Sequence, residues 1–70
     1  MADIKESIRV GLHLKKKSNL ELANGVGVSP STVSLWRNGK RRIHWEQIVK
    51  VAEFFGVSAS IFINWGEKDV

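Results

Sequence analysis

The stretch from Asn19 to Gly39 constrains the fold most, because two short apolar-periodic segments flank a turn signal in it. The turn signal is the run Gly-Val-Ser-Pro at positions 27–30. Gly27 can adopt the left-handed conformation that ends a helix, and Ser29 can cap the helix that follows. Pro30 suits the first turn of that helix, where no backbone N–H is needed. The stretch therefore predicts a helix, a tight turn and a second helix.

The side chains around the turn predict which face of each helix is buried. Ala23 is small where the second helix must cross closely, and Val26 and Val33 can fill the angle between the helices. The other side of the second helix carries small polar side chains and one leucine: Ser31, Thr32, Ser34 and Leu35. A short helix that presents such side chains between basic residues suits the major groove of DNA.

Basic residues are concentrated around the second helix. The net charge of +4 and the pI of about 9.9 favour a polyanionic partner, either nucleic acid or an anionic membrane. No acidic residue lies between Leu22 and Trp45. Seven of the eleven basic residues bracket the second helix: Lys15, Lys16, Lys17, Arg37, Lys40, Arg41 and Arg42. A solvated charge run would explain one such cluster, but two clusters around one motif favour contacts with phosphate groups.

This pattern resembles the helix-turn-helix of the lambda-repressor-like family, the Cro and phage-repressor type. The matching positions agree in both spacing and residue type: Ala23, Gly27, Val28, Ser29, Val33, Trp36, Asn38 and Gly39. The likeness continues through Ala52, Gly56, Val57 and Ser58, and covers residues 8–66. It implies an all-α, compact five-helix fold, with the helix-turn-helix at helices 2 and 3, in a single DNA-binding domain over residues 1–70.

The periodicity of apolar residues places the first two helices. Ile4, Ile8 and Leu12 predict a first helix to about residue 15, in which Gly11 marks close packing against a neighbour. For the second helix we expect a capping box formed by Ser18 and residue 21. An early turn at positions 24–25 is the alternative for its end.

The last two helices follow from the same periodicity. Ile48, Val51, Ala52 and Phe55 form one face of a fourth helix, and Trp45 is expected to widen that face. In a short fifth helix that begins near position 58, the expected inward-facing residues are Ile61 and Phe62. Ile63 and Trp65 are then left without a place in the core.

The resemblance also implies which residues contact DNA. The expected base-reading residues are Ser29, Pro30, Ser31, Thr32 and Leu35, although Ser29 and Pro30 have an alternative role as the cap and first residue of the helix. The expected phosphate-binding residues are Lys17, Asn19, Arg37, Asn38, Lys40, Arg41 and Arg42. The family often has glutamine at the position of Asn19, whose side chain is shorter.

A transcriptional regulator of phage or bacterial type follows as the expected function. The resemblance implies a cytoplasmic protein that binds a pseudo-palindromic operator in double-stranded DNA as a dimer. We expect weak homodimerisation through Ile63 and Trp65, because an exposed Ile and Trp form a small apolar patch. The alternative is that Trp65 folds back over Phe54 and covers the end of the monomer.

Two other classes of protein remain possible on this pattern. One is an antitoxin of the same fold, which binds a toxin and its own operator. The other is a single-strand or RNA binder, which needs exposed aromatic rings along a basic groove. We rank this class last because all three tryptophans are expected to lie in the core or near the C-terminus.

The composition argues against several other functions. The chain has no cysteine, and its two histidines lie far apart without nearby acidic residues to complete a metal site. No carboxylate pair suits acid–base catalysis, and no apolar run approaches a membrane span. We therefore expect no enzymatic activity, cofactor, metal, small-molecule substrate or membrane partner.

Overall fold

Five α-helices make up the part of the chain that the computed structural model describes, residues 3–67, and no strand occurs in that range. The helices are α1 (Ile4–Lys15), α2 (Asn19–Val26), α3 (Pro30–Arg37), α4 (Trp45–Phe54) and α5 (Ala59–Asn64). The predicted all-α, five-helix fold is confirmed. Residues 1–2 and 68–70 of the expected domain lie outside the described residues.

Local capping interactions set the bounds of α2. The Ser18 hydroxyl accepts the Glu21 backbone N–H at 3.1 Å, and the Ser18 N–H donates to Glu21 Oε1 at 2.9 Å, so the predicted capping box is present. At the other end, Gly27 has a φ of 86° and its N–H donates to the Ala23 carbonyl at 2.8 Å. The helix continues through Val26, so the alternative of an early turn at positions 24–25 is wrong.

The core lies where α2 packs against α3 and α4, α3 packs against α1, and α5 packs against α1 and α4. Its buried apolar residues come from all five helices and the residue that follows α4: Ile8, Leu12, Leu22, Ala23, Val26, Val33, Trp36, Ile48, Val51, Ala52, Phe55 and Phe62. Ala23 is completely buried, as its predicted place at the helix crossing requires. Burying each of the larger side chains stabilises the fold by about 1.5–3 kcal/mol.

Two glycines let phenylalanine rings lie directly on helix backbones. A Cβ atom placed on Gly11 would come within 2.6 Å of the Phe55 ring, which confirms the predicted close packing at this position. A Cβ atom on Gly25 would overlap the ring of Phe54 in the same way. The Phe54 ring therefore packs α4 against α2, and the Phe55 ring packs the end of α4 against α1. These contacts support the first helix of the helix-turn-helix on its core side.

The expected arrangement of α5 is only partly correct. Phe62 is completely buried as predicted, but Ile61 is 49% exposed, so the prediction that it faces the core is wrong. Ile63 and Trp65 instead pack against the core, and the Trp65 ring centroid lies 5.9 Å from that of Phe55. Residues 62 and 65 are three apart and share one helical face, and the packing of α5 against α1 and α4 buries that face and position 63 rather than position 61.

Polar contacts hold α5 against the start of α1. The Oγ atom of Ser7, which is fully buried, lies 3.3 Å from the carbonyl oxygens of both Asp3 and Ile63. The Asp3 N–H donates to the Gly66 carbonyl at 3.3 Å. These bonds fix which residues of α5 point outward.

Candidate nucleic-acid interface

The start of α3 presents its first residues to solvent. Ser29 caps the helix by accepting the Thr32 backbone N–H at 3.2 Å, and Pro30 occupies the first helical position. Val33 and Trp36 are buried, with 0% and 2% of their surface exposed, so one face of α3 is committed to the core. The opposite face is therefore turned outward along the whole helix.

The predicted base-reading residues fall into two groups on α3. Pro30, Ser31 and Leu35 are exposed, and the last two lie one helical turn apart. Ser29 is exposed and Thr32 half-buried, but their hydroxyl oxygens lie 3.0 Å apart and Ser29 also serves as the helix cap. The hydroxyls of Ser29 and Thr32 thus already have partners, whereas Ser31 and Leu35 face solvent.

An exposed basic loop follows α3. The Lys40 N–H donates to the Leu35 carbonyl at 2.9 Å, which closes the end of the helix and turns the chain. Lys40, Arg41 and Arg42 are all exposed, as is Asn38 at the end of α3. The next residue, Ile43, is half-buried against the core and anchors the loop.

The start of α2 contributes a further basic residue. Lys17 is exposed, and its Nζ lies 3.9 Å from a carboxylate oxygen of Glu21. The hydrogen bond from the Ser18 backbone N–H lowers the pKa of Glu21, and its hydroxyl and the Lys17 cation act in the same direction. These contacts bring the Lys17 cation and the Glu21 carboxylate together at the first turn of α2.

Asn19 and Arg37, both expected to contact phosphate, are joined to each other. Arg37 Nη1 donates to Asn19 Oδ1 at 2.9 Å, which links the first residue of α2 to the last residue of α3. Both residues are half-buried. Sequence reasoning placed both residues near DNA, but it did not reveal this bond between residues eighteen positions apart.

A groove runs between the start of α1 and the loop after α3. It has a volume of about 460 Å³ and is lined by the cations Lys5, Arg41 and Arg42 and by Asp3, whose carboxylate lies 4.0 Å from Lys5 Nζ. A Cβ on Gly39 would lie 3.3 Å from Lys5 Cδ, so the lysine side chain passes close to the end of α3. Lys5 was missed by sequence reasoning, because only the folded chain brings it beside the loop.

The expected position of Trp45 is wrong. The side chain is 60% exposed rather than part of the apolar face of α4, and it follows the basic loop by only a few residues. Trp45 is the first residue of α4, and periodicity does not determine whether another element covers the end of a helix. Single-strand binding was placed last because all three tryptophans were expected to lie in the core or near the C-terminus, and the exposure of Trp45 weakens that reason.

No group of three or more histidine, cysteine or acidic residues within residues 3–67 could hold a metal ion. Among the helices described, none combines the length and apolar character needed to cross a membrane.

Together, α2, the turn at residues 27–29 and α3 with its outward face form a helix-turn-helix. A helix-turn-helix family model matches residues 8–62, which is most of the chain. The chain belongs to the lambda-repressor-like helix-turn-helix family. The predicted resemblance is confirmed, and with it the classification as a DNA-binding domain involved in transcription regulation.

Solved structures share the architecture of this helix-turn-helix domain. The clp gene regulator ClgR from C. glutamicum superimposes with a TM-score of 0.85 at 22% identity, over 93% of this chain and 84% of that one. The apo form of HppE gives a TM-score of 0.77 at 24% identity, over 90% of this chain but 36% of that one. The structure of HppE with iron(II) and substrate gives a TM-score of 0.78 at 24% identity, over 89% of this chain and 35% of that one. At these identities the likeness shows the fold alone. No curated protein matched the sequence.

Proposed function

We propose that the chain is a sequence-specific transcriptional regulator that inserts α3 into the major groove of double-stranded DNA. The observation that carries this proposal is the outward face of α3, which exposes Ser31 and Leu35. The loop after the helix then exposes Lys40, Arg41 and Arg42. A helix of this kind fits the width of the groove, and the cations neutralise phosphates at its edges. Occupancy of an operator would then exclude or recruit polymerase in a bacterial or phage-infected cell.

Base recognition is assigned to the exposed residues at the start and middle of α3. Ser31 can donate to or accept from a base edge, whereas Pro30 and Leu35 can contact a thymine methyl group. Ser29 and Thr32 retain a secondary role, because their hydroxyls already hydrogen-bond within the first turn. Each direct base contact discriminates against a wrong base by about 1–3 kcal/mol.

Phosphate binding is assigned to the residues at the two edges of α3. Lys17 lies just before α2, and the loop after α3 supplies Lys40, Arg41 and Arg42, with Asn38 at the helix end. Phosphate contacts fix the position of the protein on the duplex but carry no sequence information directly.

Substituting base-reading and phosphate-binding residues should therefore have different effects. We expect Ser31→Ala to change the preference at particular base pairs by about 1–3 kcal/mol. Arg41→Gln should weaken binding to all sequences about equally and reduce the salt slope by about 0.9. The measurement is selection from randomised duplexes, followed by titration of the selected sites with each variant. An unchanged preference profile for Ser31→Ala would remove Ser31 from the base-reading residues.

A symmetric dimer on a pseudo-palindromic operator extends this proposal, with half-sites about 34 Å apart. The proposed contact is the outer surface of α5, where a shallow groove is lined by Ser60, Ile61, Ile63, Asn64 and Glu67. Ile61 is the most exposed apolar residue of α5, while Ile63 and Trp65 contribute their half-buried edges. The patch is small, so a second copy would pair weakly in solution and more strongly when both half-sites are filled.

Ile61→Asp tests this dimer contact without disturbing the core. The side chain is half exposed, so the variant should fold normally but lose association and cooperative filling of half-sites. Sedimentation reports the association state, and a gel shift reports cooperativity. Ile61→Ser removes the apolar side chain without adding a charge, and it therefore separates loss of the apolar contact from a charge effect. If Ile61→Asp associates and binds cooperatively like the wild-type chain, the contact lies elsewhere.

Trp45 is the observation that favours single-strand binding as a second candidate. An exposed indole close to three basic residues could stack on an unpaired base. One ring is fewer than the series of stacking platforms used by such proteins, so duplex binding remains the main proposal. Competition by single strands of the operator sequence distinguishes the two, because a single-strand binder would prefer them to the duplex.

A further inference from the structure

The bond between Arg37 and Asn19 fixes the orientation of an amide group at the predicted DNA surface. Asn19 is the first residue of α2, and Arg37 Nη1 donates to its Oδ1 at 2.9 Å. A guanidinium has only donors, so the atom of Asn19 that faces it must be the amide oxygen. The Nδ2 group of Asn19 therefore points away from Arg37, with both of its hydrogens available to an acceptor.

Arg37 is partly enclosed by the fold. It is half-buried at the end of α3, and within residues 3–67 its buried Nε has no hydrogen-bond partner. This guanidinium differs from those of Arg41 and Arg42, which are exposed on the loop. Its geometry suits a group that orients a neighbouring side chain.

We propose that Arg37 is a positioning residue that orients the Asn19 amide, so that Nδ2 donates to a backbone phosphate. The proposal rests on the function proposed above and identifies one of its phosphate contacts at atomic level. At the first turn of α2 the Ser18 hydroxyl already accepts the Glu21 N–H, and the Glu21 carboxylate accepts the Ser18 N–H, so the proposed phosphate contact is made by the Asn19 amide. The bond spans the two helices, so Arg37 ties the amide of α2 to the position of α3 in the groove.

Asn19→Asp tests the proposed donor while keeping the partner of Arg37. The carboxylate can still accept from Nη1, as a stronger charge-assisted bond, and a negative charge suits the start of a helix. We therefore expect an unchanged or higher melting temperature together with DNA binding weakened by about tenfold or more, because a donor becomes a repelling oxygen. If Asn19 had only a structural role, DNA binding would not weaken while the melting temperature stayed unchanged or rose.

Asn24→Asp is the matched control for the added charge. Asn24 lies on the same helix and is exposed, and it is outside the proposed contacts. It should bind DNA within about twofold of the wild-type chain, as expected for a surface charge outside the contact region. If Asn19→Asp and Asn24→Asp weaken binding equally, the amide makes no phosphate contact and the proposal is overturned.

Arg37→Met tests whether Arg37 acts through Asn19 or touches phosphate itself. Methionine keeps much of the apolar stem but releases the amide, so binding should weaken while the slope of log K against log salt stays unchanged. A slope reduced by about 0.9 would mean that Arg37 neutralises a phosphate directly, and would overturn the positioning role. In an Asn19→Ala background, Arg37→Met should weaken binding no further; additive losses would also overturn it.

These outcomes are separable from failure of the proposed function. If the wild-type chain binds no duplex at low salt, DNA binding itself is wrong. If it binds and Asn19→Asp binds equally well, only the role of the Asn19 amide is wrong. Should Arg37→Met fail to fold, Asn19→Asp still decides the question, because that variant keeps the interhelical bond.

Discussion

Replacing Trp36 with alanine should leave the domain unfolded, or close to unfolding, at room temperature. The side chain is 2% exposed and packs in the core behind the exposed face of α3. Truncating a buried aromatic side chain costs about 3–5 kcal/mol, through lost apolar burial and the cavity left behind. A domain of this size rarely has much more stability than that in total. Thermal melting followed by circular dichroism measures the loss.

Trp36→Phe is the matched control for that substitution. Within residues 3–67 the buried indole Nε1 has no hydrogen-bond partner, so removing it breaks no hydrogen bond that this structure contains. Phenylalanine keeps most of the aromatic contact area, and the variant should remain folded with a lower melting temperature. If Trp36→Ala gives a cooperative melt close to that of the wild-type chain, the side chain does not support α3 from the core.

The turn between α2 and α3 could be predicted from sequence because its signals are local. Gly27 adopts a positive φ, Ser29 caps α3 and Pro30 occupies its first position, all as expected from the chemistry of single residues. The capping box at Ser18 is predictable for the same reason. Each of these features depends on atoms within about one helical turn.

The α5 region was harder to predict, because burial there depends on contacts with distant parts of the chain. Ile61 and Ile63 are equally apolar, but only position 63 is brought against α1, where Ser7 hydrogen-bonds its backbone carbonyl. The prediction that Trp45 is buried was wrong for a similar reason, since the exposure of the first residue of α4 depends on which element lies beside it. Apolar periodicity gives the face of a helix but not its neighbours.

The candidate site shows the same division between local and distant contacts. The basic clusters and the outward residues of α3 could be read from composition and helical spacing. The bond from Arg37 to Asn19 and the approach of Lys5 to Gly39 could not, because they join residues that are far apart in the sequence. These long-range contacts determine which of the predicted DNA-binding groups are free and which are already engaged.

Duplex binding should be strongly weakened by salt. Exposed cations lie before α2, at Lys17, and in the loop after α3, at Lys40, Arg41 and Arg42. If about five basic side chains meet phosphates, these four among them, log K should fall against log salt with a slope of about −4 to −5. Raising the salt from about 50 to about 200 mM would then weaken binding by about 250- to 1,000-fold.

A double substitution in the basic loop, compared with a control on α4, tests whether the loop residues determine this slope. Changing both Arg41 and Arg42 to glutamine should reduce the magnitude of the slope by about 1.8, since each phosphate contact contributes about 0.9. Lys50→Gln removes an exposed charge from α4, outside the proposed contacts, and should leave the slope unchanged. An equal effect from both changes would indicate a general charge attraction rather than contacts at the edges of α3.

The most direct test of the proposed duplex binding is a titration of the wild-type chain with fluorescent duplex DNA at several salt concentrations. Single strands of the same sequence serve as competitors in each titration. We predict tight binding to the duplex at low salt, a slope of about −4 to −5, and weaker binding to the single strands. A slope near zero, absence of duplex binding at low salt, or preference for the single strands would contradict it.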